Sequence, residues 1–281
     1  MSISQVICIT GASSGIGLAT ALKFAHEGWT VYAGTRHLTR DQELYRGVEH
    51  LHFAEMEVTD PDSIQRVISR IEHEQGRLDV LFANAGYGYL RALGQAPFPE
   101  IQEVFDTNVY GVMHTIRTAL PLLRKTGYGH IVATSSVGGL VGQPMNEIYC
   151  ASKFAVEGLL ESLATYYKPQ FNIDITLLEP GAIATEFNST VMGHVASTGG
   201  VLEDEYKPIL DAYRAAFLER NVEPQTAESV AEVMWELVRQ ETKPLRLRTS
   251  ERAEAFVARK VSTDPTGLEG VLSTRRIQLN M

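Results

Sequence analysis

The chain has little that would take it out of an aqueous, reducing setting. It carries two cysteines in 281 residues, Cys8 and Cys150. Two are too few for a disulfide framework in a chain of this length, and a reducing compartment fits them best. Cys8 sits in the run Val6-Ile7-Cys8-Ile9 and reads as a small buried hydrophobe. The first residues, Met1-Ser2-Ile3-Ser4-Gln5, hold no basic stretch, and the apolar run after them is too short for a secretory leader. No run of about 18 apolar residues exists, which excludes a transmembrane helix. A cytoplasmic protein is the expectation. An excess of positive charge is missing too: Lys plus Arg is 25 against 34 Asp plus Glu, a formal net charge of −9. That balance disfavours nucleic acid and anionic membranes as partners. The histidines are scattered. His50 and His52 share a strand face but lack cysteine or carboxylate partners at ligand spacing, so no metal is expected.

What is present is alternation. Short apolar strands are expected at Ile3–Ile9, Trp29–Ala33, His50–Ala54, Leu78–Phe82, His130–Ala133, Ile173–Leu178 and Pro244–Arg248. Helical patterns lie between them at Gly15–Glu27, Pro61–Glu74, Glu100–Leu123, Asn146–Tyr167 and Thr226–Arg239. Strands apolar on both faces, separated by helices, imply an α/β fold, a doubly wound parallel sheet covered on both sides. A single Rossmann-type domain over 1–250 is expected, with 251–281 as its C-terminal extension. The stretch Glu186 to Pro224 breaks the rhythm. It is too long for a plain connection and reads as an irregular substrate loop.

After the first strand stands Thr10-Gly11-Ala12-Ser13-Ser14-Gly15-Ile16-Gly17, then a helix. Glycines let the backbone approach a pyrophosphate, and the helix N-terminus presents free N–H groups and a positive dipole end. Ser13, Ser14 and Ile16 belong to this loop, with Gly11 and Gly17 at its ends. The spacing T-G-x-x-x-G-I-G departs from the common G-x-G-x-x-G pattern and resembles that of the short-chain dehydrogenase/reductase family, in its compact dehydrogenase branch. The second strand ends Ala33-Gly34-Thr35-Arg36, with no carboxylate to hold a ribose 2′-hydroxyl. A guanidinium there suits a 2′-phosphate, so NADP (NADPH/NADP+) is the expected cofactor.

Ala83-Asn84-Ala85-Gly86 follows the fourth strand directly, at the carboxyl end where open α/β sheets bind ligands. Ser135-Ser136 follows the fifth strand. Tyr149 and Lys153 are four apart on the next helix and share a face. A free tyrosine titrates near pH ~10, and a neighbouring ammonium and an oxidised nicotinamide ring are both expected to favour phenolate. Such a phenol can give a proton to a carbonyl oxygen or take one from an alcohol, while a serine hydroxyl steadies the charge that develops there. Cys150 faces away from Tyr149 and reads as packing.

The resemblance to the family extends from Ile3 to about Thr185 and implies further roles. Ser136, thirteen residues before Tyr149, matches the family's catalytic serine. Asn108, in a predicted helix, matches an asparagine that holds a water near the lysine. Lys153 would also hold the nicotinamide ribose. Glu57 and Val58 stand where the family contacts adenine. Pro180-Gly181-Ala182-Ile183-Ala184-Thr185 resembles a P-G-x-x-x-T segment whose backbone at Ile183 and hydroxyl at Thr185 fix the carboxamide and phosphates. The resemblance also implies a homodimer or homotetramer paired through the two long helices.

The expected function is an NADP(H)-dependent oxidoreductase interconverting a secondary or primary alcohol and a carbonyl. An idle NADP-binding regulator on the same fold is the alternative, and a sugar-nucleotide epimerase is disfavoured by the glycine spacing. The 186–224 segment is rich in large apolar groups, among them Phe187, Val191, Met192, Val195, Val201, Leu202, Tyr206, Ile209, Leu210, Tyr213 and Phe217. With Tyr87, Tyr89, Leu90, Leu140 and Met145 they are expected to wall a pocket for a bulky hydrophobic alcohol or ketone, similar to hydroxysteroid and retinol dehydrogenase members. Arg246, Arg248, Arg252, Arg259, Lys260, Arg275 and Arg276 make the tail mildly basic, and a solvated or subunit-covering tail is the default.

Overall fold

The computed structural model describes residues 4–219, 223–262 and 276–277. Seven parallel strands form one sheet: β1 (Val6–Ile9), β2 (Thr30–Thr35), β3 (Leu51–Glu55), β4 (Val80–Ala83), β5 (Gly129–Thr134), β6 (Ile173–Glu179) and a late strand, Arg246–Arg248. Their spatial order is β3-β2-β1-β4-β5-β6 and then the late strand. The chain therefore reverses direction across the sheet between β1 and β4, which opens a crevice at their carboxyl ends. Ile3, which the sequence assigns to the first strand, lies outside the described residues.

Side-chain alternation decides what covers each face. Val6 and Cys8 of β1 point into a core shared with α3 (Pro61–Gln75), α5 (Gly111–Thr126) and α6 (Glu147–Phe171). Ile7 and Ile9 point the other way, toward α1 (Gly15–His26) and a later helix over Ala227–Arg239. β2, β4 and β5 divide in the same manner, as a period of two requires. Local chemistry sets the helix ends. Asp60 caps α3 by accepting from Asp62 N at 3.0 Å, Pro61 fills its first turn, and Gly76 closes it at φ 69°.

The structure differs from the sequence expectation in four places. A short α2 (Leu38–Leu44) follows Arg36. The predicted Glu100–Leu123 helix is α4 (Phe98–Phe105) and α5 joined by a π-turn over Asp106–Tyr110. The segment after Thr185 is mostly helical, with α7 (Phe187–Ser197) and α8 (Lys207–Glu219), and two short paired strands flank it, β7 (Ile183–Ala184) and β8 (Gln225–Thr226). After α9 (Ala227–Arg239) and β9 (Arg246–Arg248) comes α10 (Glu251–Ser262), so the extension begins with a helix. Weak formers at the start of α7, Asn188-Ser189-Thr190, and Gly193 within it hide that helix from a propensity reading. Tertiary contacts hold it instead. The buried Arg91 donates to Thr198 O at 2.6 Å and Thr198 Oγ1 at 2.7 Å, and Gln95 donates to Asp204 at 2.8 Å.

The arginines of β9 also depart from the expected solvated tail. Arg246 and Arg248 are partly buried and pair with Glu157 and Glu179. Arg275 and the Phe217 side chain lie outside the described residues. Among the described residues, no helix is long and apolar enough to cross a membrane.

Phe24 on α1 anchors the α1–α9 face. It is fully buried, edge-on to Trp29 at 5.1 Å and to Trp235 at 5.3 Å. Phe24→Ala is expected to cost about 3–5 kcal/mol, read as a lower urea midpoint with an unchanged m-value. A loss under about 1 kcal/mol would mean this face contributes little to the fold.

Candidate active site

The crevice between β1 and β4 deepens into a cavity of about 950 Å³. Its floor is the loop after β1. Gly11 takes φ +64°, and a Cβ there would lie 2.8 Å from Ala85 Cα. Only glycine permits that backbone angle and that approach together. Gly17 is needed for a different reason. A Cβ on it would fall 2.3 Å from Gly11 O and 2.6 Å from Asn84 Nδ2, so it packs the helix start against the loop, outside the cavity wall. Ser14 caps α1 in position while its side chain makes no capping bond. The first-turn N–H groups of α1 thus open toward the cavity.

Asn84 ties three strands together. Its Nδ2 donates to Thr10 O and Gly11 O, each at 3.2 Å, and its Oδ1 accepts from Thr134 Oγ1 at 3.0 Å. Thr10 Oγ1 returns the favour by accepting from Asn84 N at 3.0 Å and Ala85 N at 2.9 Å. Arg36 stands on the rim, largely exposed, 3.8 Å from Glu57. With Arg36, the cavity is lined by Ser13, Ile16, Glu57, Val58, Gly86, Pro180, Gly181, Ile183 and Thr185, all expected from the sequence.

Ser136, Tyr149 and Lys153 converge on one wall of the same cavity. Ser136 begins the turn Val137–Gly139, where its Oγ accepts from Gly138 N at 3.0 Å. Its hydroxyl and the Tyr149 phenol line the same stretch of the cavity. Lys153 Nζ lies 5.8 Å from the centre of the Tyr149 ring and donates to Thr134 O at 2.8 Å. Burial dominates both titrations. It pushes the Tyr149 phenol up to about 12, against a smaller downward pull from Ser136. It brings Lys153 down to about 8, with the Glu157 carboxylate acting in the opposite sense. Burial thus favours the neutral phenol, against the phenolate that a neighbouring ammonium and an oxidised nicotinamide ring would favour.

Asn108 stands behind the wall, fully buried in the π-turn. Its Oδ1 accepts from Tyr87 N at 3.0 Å, while its Nδ2 donates to Tyr87 O at 2.9 Å and Ser152 Oγ at 3.1 Å. The extra residue of the π-turn is what aims this side chain inward from a helix. Cys150, also buried, has its thiol pushed up to about 11 by burial, in keeping with a packing role.

The far wall is less apolar than expected and comes from different residues. Tyr87, Phe187 and Tyr213 do line the cavity, and Phe187 meets the Tyr149 ring edge-on at 5.8 Å. The remaining apolar groups mostly dock the segment onto the body. Leu90, Met145, Val201, Tyr206, Ile209 and Leu210 form a separate cluster, and Tyr89 packs with Val104 and Ile148. Polar Gln143, Asn146, Asn188 and Thr190 share the wall. Phe256 and Arg252 of α10, with Ile277, enclose the cavity from the C-terminal extension. Sequence reading missed these three. The apolar positions Phe256 and Val257, three and four residues after Ala253, were the available helical signal.

A seven-stranded doubly wound sheet with this loop, this turn and this Ser–Tyr–Lys cluster defines a nucleotide-binding type of oxidoreductase. The chain belongs to the short chain dehydrogenase family, whose model matches residues 5–195. It is 36% identical over 275 residues to retinol dehydrogenase 8 of Bos taurus, spanning 94% of this chain and 86% of that one. It is 34% identical over 288 residues to human 17-beta-hydroxysteroid dehydrogenase type 1, spanning 96% of this chain and 85% of that one. A short-chain dehydrogenase structure from Streptomyces avermitilis matches with a TM-score of 0.80 at 26% identity, covering 98% of each chain. The chain is thus an oxidoreductase of the alcohol–carbonyl class.

Proposed function

We propose that this protein is an NADP(H)-dependent oxidoreductase that interconverts a bulky, largely apolar alcohol and its carbonyl, with Tyr149 as the proton donor and acceptor. One observation carries the reading: the Ser136–Tyr149–Lys153 cluster opens into the same cavity whose floor is the glycine-rich loop. The residues suit a nicotinamide dinucleotide. Gly11 leaves room for a pyrophosphate against the backbone, and the α1 N-terminus faces the same space. Gly11, Ser13, Ser14 and Ile16 would hold the phosphates. Asn84, Ala85 and Gly86 would line the middle of the cofactor, and Pro180, Gly181, Ile183 and Thr185 its nicotinamide end. When bound, the cofactor supplies or accepts the hydride.

The protein's own part is the proton. A phenol held protonated by burial is ready to donate to a carbonyl oxygen as that oxygen gains charge. Ser136, directed at the same place, donates a second hydrogen bond to that oxygen. In the reverse direction the deprotonated Tyr149 oxygen takes the alcohol proton, while Ser136 keeps its hydrogen bond to the substrate oxygen. Lys153 places a cation beside the phenol and favours its deprotonated form during the step. Asn108, by gripping Tyr87 on both backbone groups, holds the Gly86–Tyr87 corner against the reacting region.

Arg36 supports NADP over NAD. It is the basic group at the end of β2, where no carboxylate occupies the position, and among the described residues its one ion-pair partner, Glu57, is at 3.8 Å in solvent. Such a pair is weak and easily exchanged for a phosphate. The native protein is expected to bind NADP at least about tenfold tighter than NAD, and Arg36→Asp to reverse the order, measured by fluorescence titration. Equal or tighter binding of NAD by the native chain would contradict this.

Tyr149→Phe keeps the ring against Phe187 and removes the proton. It is expected to lower kcat/KM by about a hundredfold or more with cofactor affinity retained. Near-native turnover in that variant would remove Tyr149 from the mechanism.

The substrate class rests on the aromatic wall of Tyr87, Phe187, Tyr213 and Phe256 and on the names of the relatives, which act on retinol and on hydroxysteroids. Each CH₂ buried against such a wall adds about 0.8 kcal/mol. Across ketones of increasing chain length, kcat/KM is expected to rise until the cavity is filled. A flat or falling series, or preference for polar sugars, would contradict an apolar substrate.

A further inference from the structure

One turn beyond Lys153 on α6 stands Glu157, 4% exposed. A carboxylate this deep is costly unless charge offsets it. Its Oε2 accepts from Arg246 Nε at 2.9 Å. The same Nε lies 3.5 Å from Oε1 of Glu179, a fully buried carboxyl at the end of β6. Glu179 Oε2 pairs in turn with Arg248 Nη1 at 3.2 Å. The parallel register of β6 and β9, which sets Glu179 opposite Arg248, builds this arrangement. At the surface Arg246 also reaches Glu161, and Arg248 reaches Glu254 at 2.6 Å.

The inner side of the cluster is less well matched. Ser135 Oγ, Glu157 Oε1 and Glu179 Oε1 are buried without a hydrogen-bond partner. Two of them face one point. A Cβ on Gly139 would sit 2.6 Å from Ser135 Oγ and 3.3 Å from Glu157 Oε1. A purely structural strut between α6 and β9 would need only the outer oxygen of Glu157. It gives no reason for a second buried carboxyl on the same guanidinium edge or for an unpaired inner oxygen. The cation nearest along α6 is Lys153, four residues before Glu157 on the same helix face. Lys153 is 4% exposed, and its hydrogen bond goes to a neutral acceptor, Thr134 O.

We propose that Glu157 is a positioning residue for the Tyr149–Lys153 pair: its carboxylate, held beside Glu179 by Arg246, is the counter-charge that keeps Lys153 an ammonium under the phenol. The proposal rests on the reading of Tyr149 and Lys153 as the proton-handling pair. The charged groups around Glu157 are Lys153 and Glu161 on α6, Glu179 on β6, Arg246 and Arg248 on β9, and Glu254 on α10. Burial pulls Lys153 toward neutrality and Glu157 pushes it back. Burial and the Glu157 carboxylate both push Glu179 up. Of the two carboxyls, Glu179 is the one whose charged form burial and its neighbour disfavour. The sign follows. Neutralising Glu157 makes the ammonium easier to lose, so the alkaline limit of activity moves to lower pH.

The test follows Lys153 itself in the full-length protein, through the pH dependence of its side-chain nitrogen shift by NMR, with Lys153→Arg assigning the signal. Glu157→Gln is expected to lower the Lys153 midpoint by about one unit, a tenfold change in proton affinity. Glu157→Asp, which keeps the charge, is expected to return most of it. With NADPH and a ketone, the alkaline limb of kcat/KM should move down in parallel. A Lys153 midpoint unchanged in Glu157→Gln overturns the proposal, as does a lower melting temperature with the midpoint held, the mark of a strut. If the Gln variant does not fold, Glu157→Met, of similar volume and without charge, takes its place: its Lys153 midpoint should fall by about one unit, and a native midpoint there overturns the proposal. Failure of the underlying reading looks different. Tyr149→Phe would then keep its turnover while the Lys153 titration still followed Glu157.

Discussion

The closeness of two chain segments, the loop leaving β1 and the turn leaving β4, is the constraint on which the site depends. Gly11 can approach Ala85 only because neither a Cβ nor an ordinary backbone angle is present at residue 11. Asn84 then locks the approach with bonds to Thr10, Gly11 and Thr134, joining β1, β4 and β5 at their carboxyl ends. From that knot the cavity opens on one side and the Ser136–Tyr149–Lys153 wall stands on the other. Without it the first turn of α1 would face solvent, and Gly17 would have no loop to pack against. Local conformational freedom at two glycines thus becomes a binding floor for the whole domain.

Burial does the electrostatic tuning on top of that frame. The same desolvation that raises Tyr149 to about 12 lowers Lys153 to about 8, so both groups are driven toward their neutral forms. A neutral phenol is useful as an acid, whereas a neutral amine would leave it without a cationic neighbour. Glu157, one turn further along α6, opposes that second shift, and it is buried there together with Glu179. β9 is the reason they can be buried there, because its two arginines bring positive charge to the end of β6. A late strand at the sheet edge is in this way linked to the chemistry several ångströms inward.

The sheet and the central cluster were legible from sequence because each rests on short-range chemistry. Short runs apolar on both faces, a glycine-rich turn before a helix and a tyrosine four residues from a lysine all report local geometry. What escaped depends on contacts between distant segments. The helix α7 contains Asn188, Ser189, Thr190 and Gly193 and is held by Arg91 from more than a hundred positions upstream. Most apolar residues of that region dock it to the body, so their abundance overstated the apolarity of the cavity. The π-turn that turns Asn108 inward adds one residue to a helix, a change that composition does not register. Phe256 and Arg252 reach the cavity only because α10 folds back past Gly181, where Ala253 comes within 3.7 Å of the position a Cβ would take. Arg246 and Arg248 looked like tail charges because the acidic partners that bury them lie on α6 and β6.

The central claim is that one cavity holds cofactor and carbonyl together and passes hydride and proton between them. Incubating the native protein with NADPH and a panel of steroid, retinoid, aliphatic and quinone carbonyls tests it most directly, following cofactor absorbance and the alcohol formed. The account predicts oxidation of NADPH matched mole for mole by alcohol, with the bulky apolar carbonyls preferred. Tight binding of NADPH with no carbonyl consumed by any member of the panel would contradict it and leave a cofactor-binding protein without this chemistry.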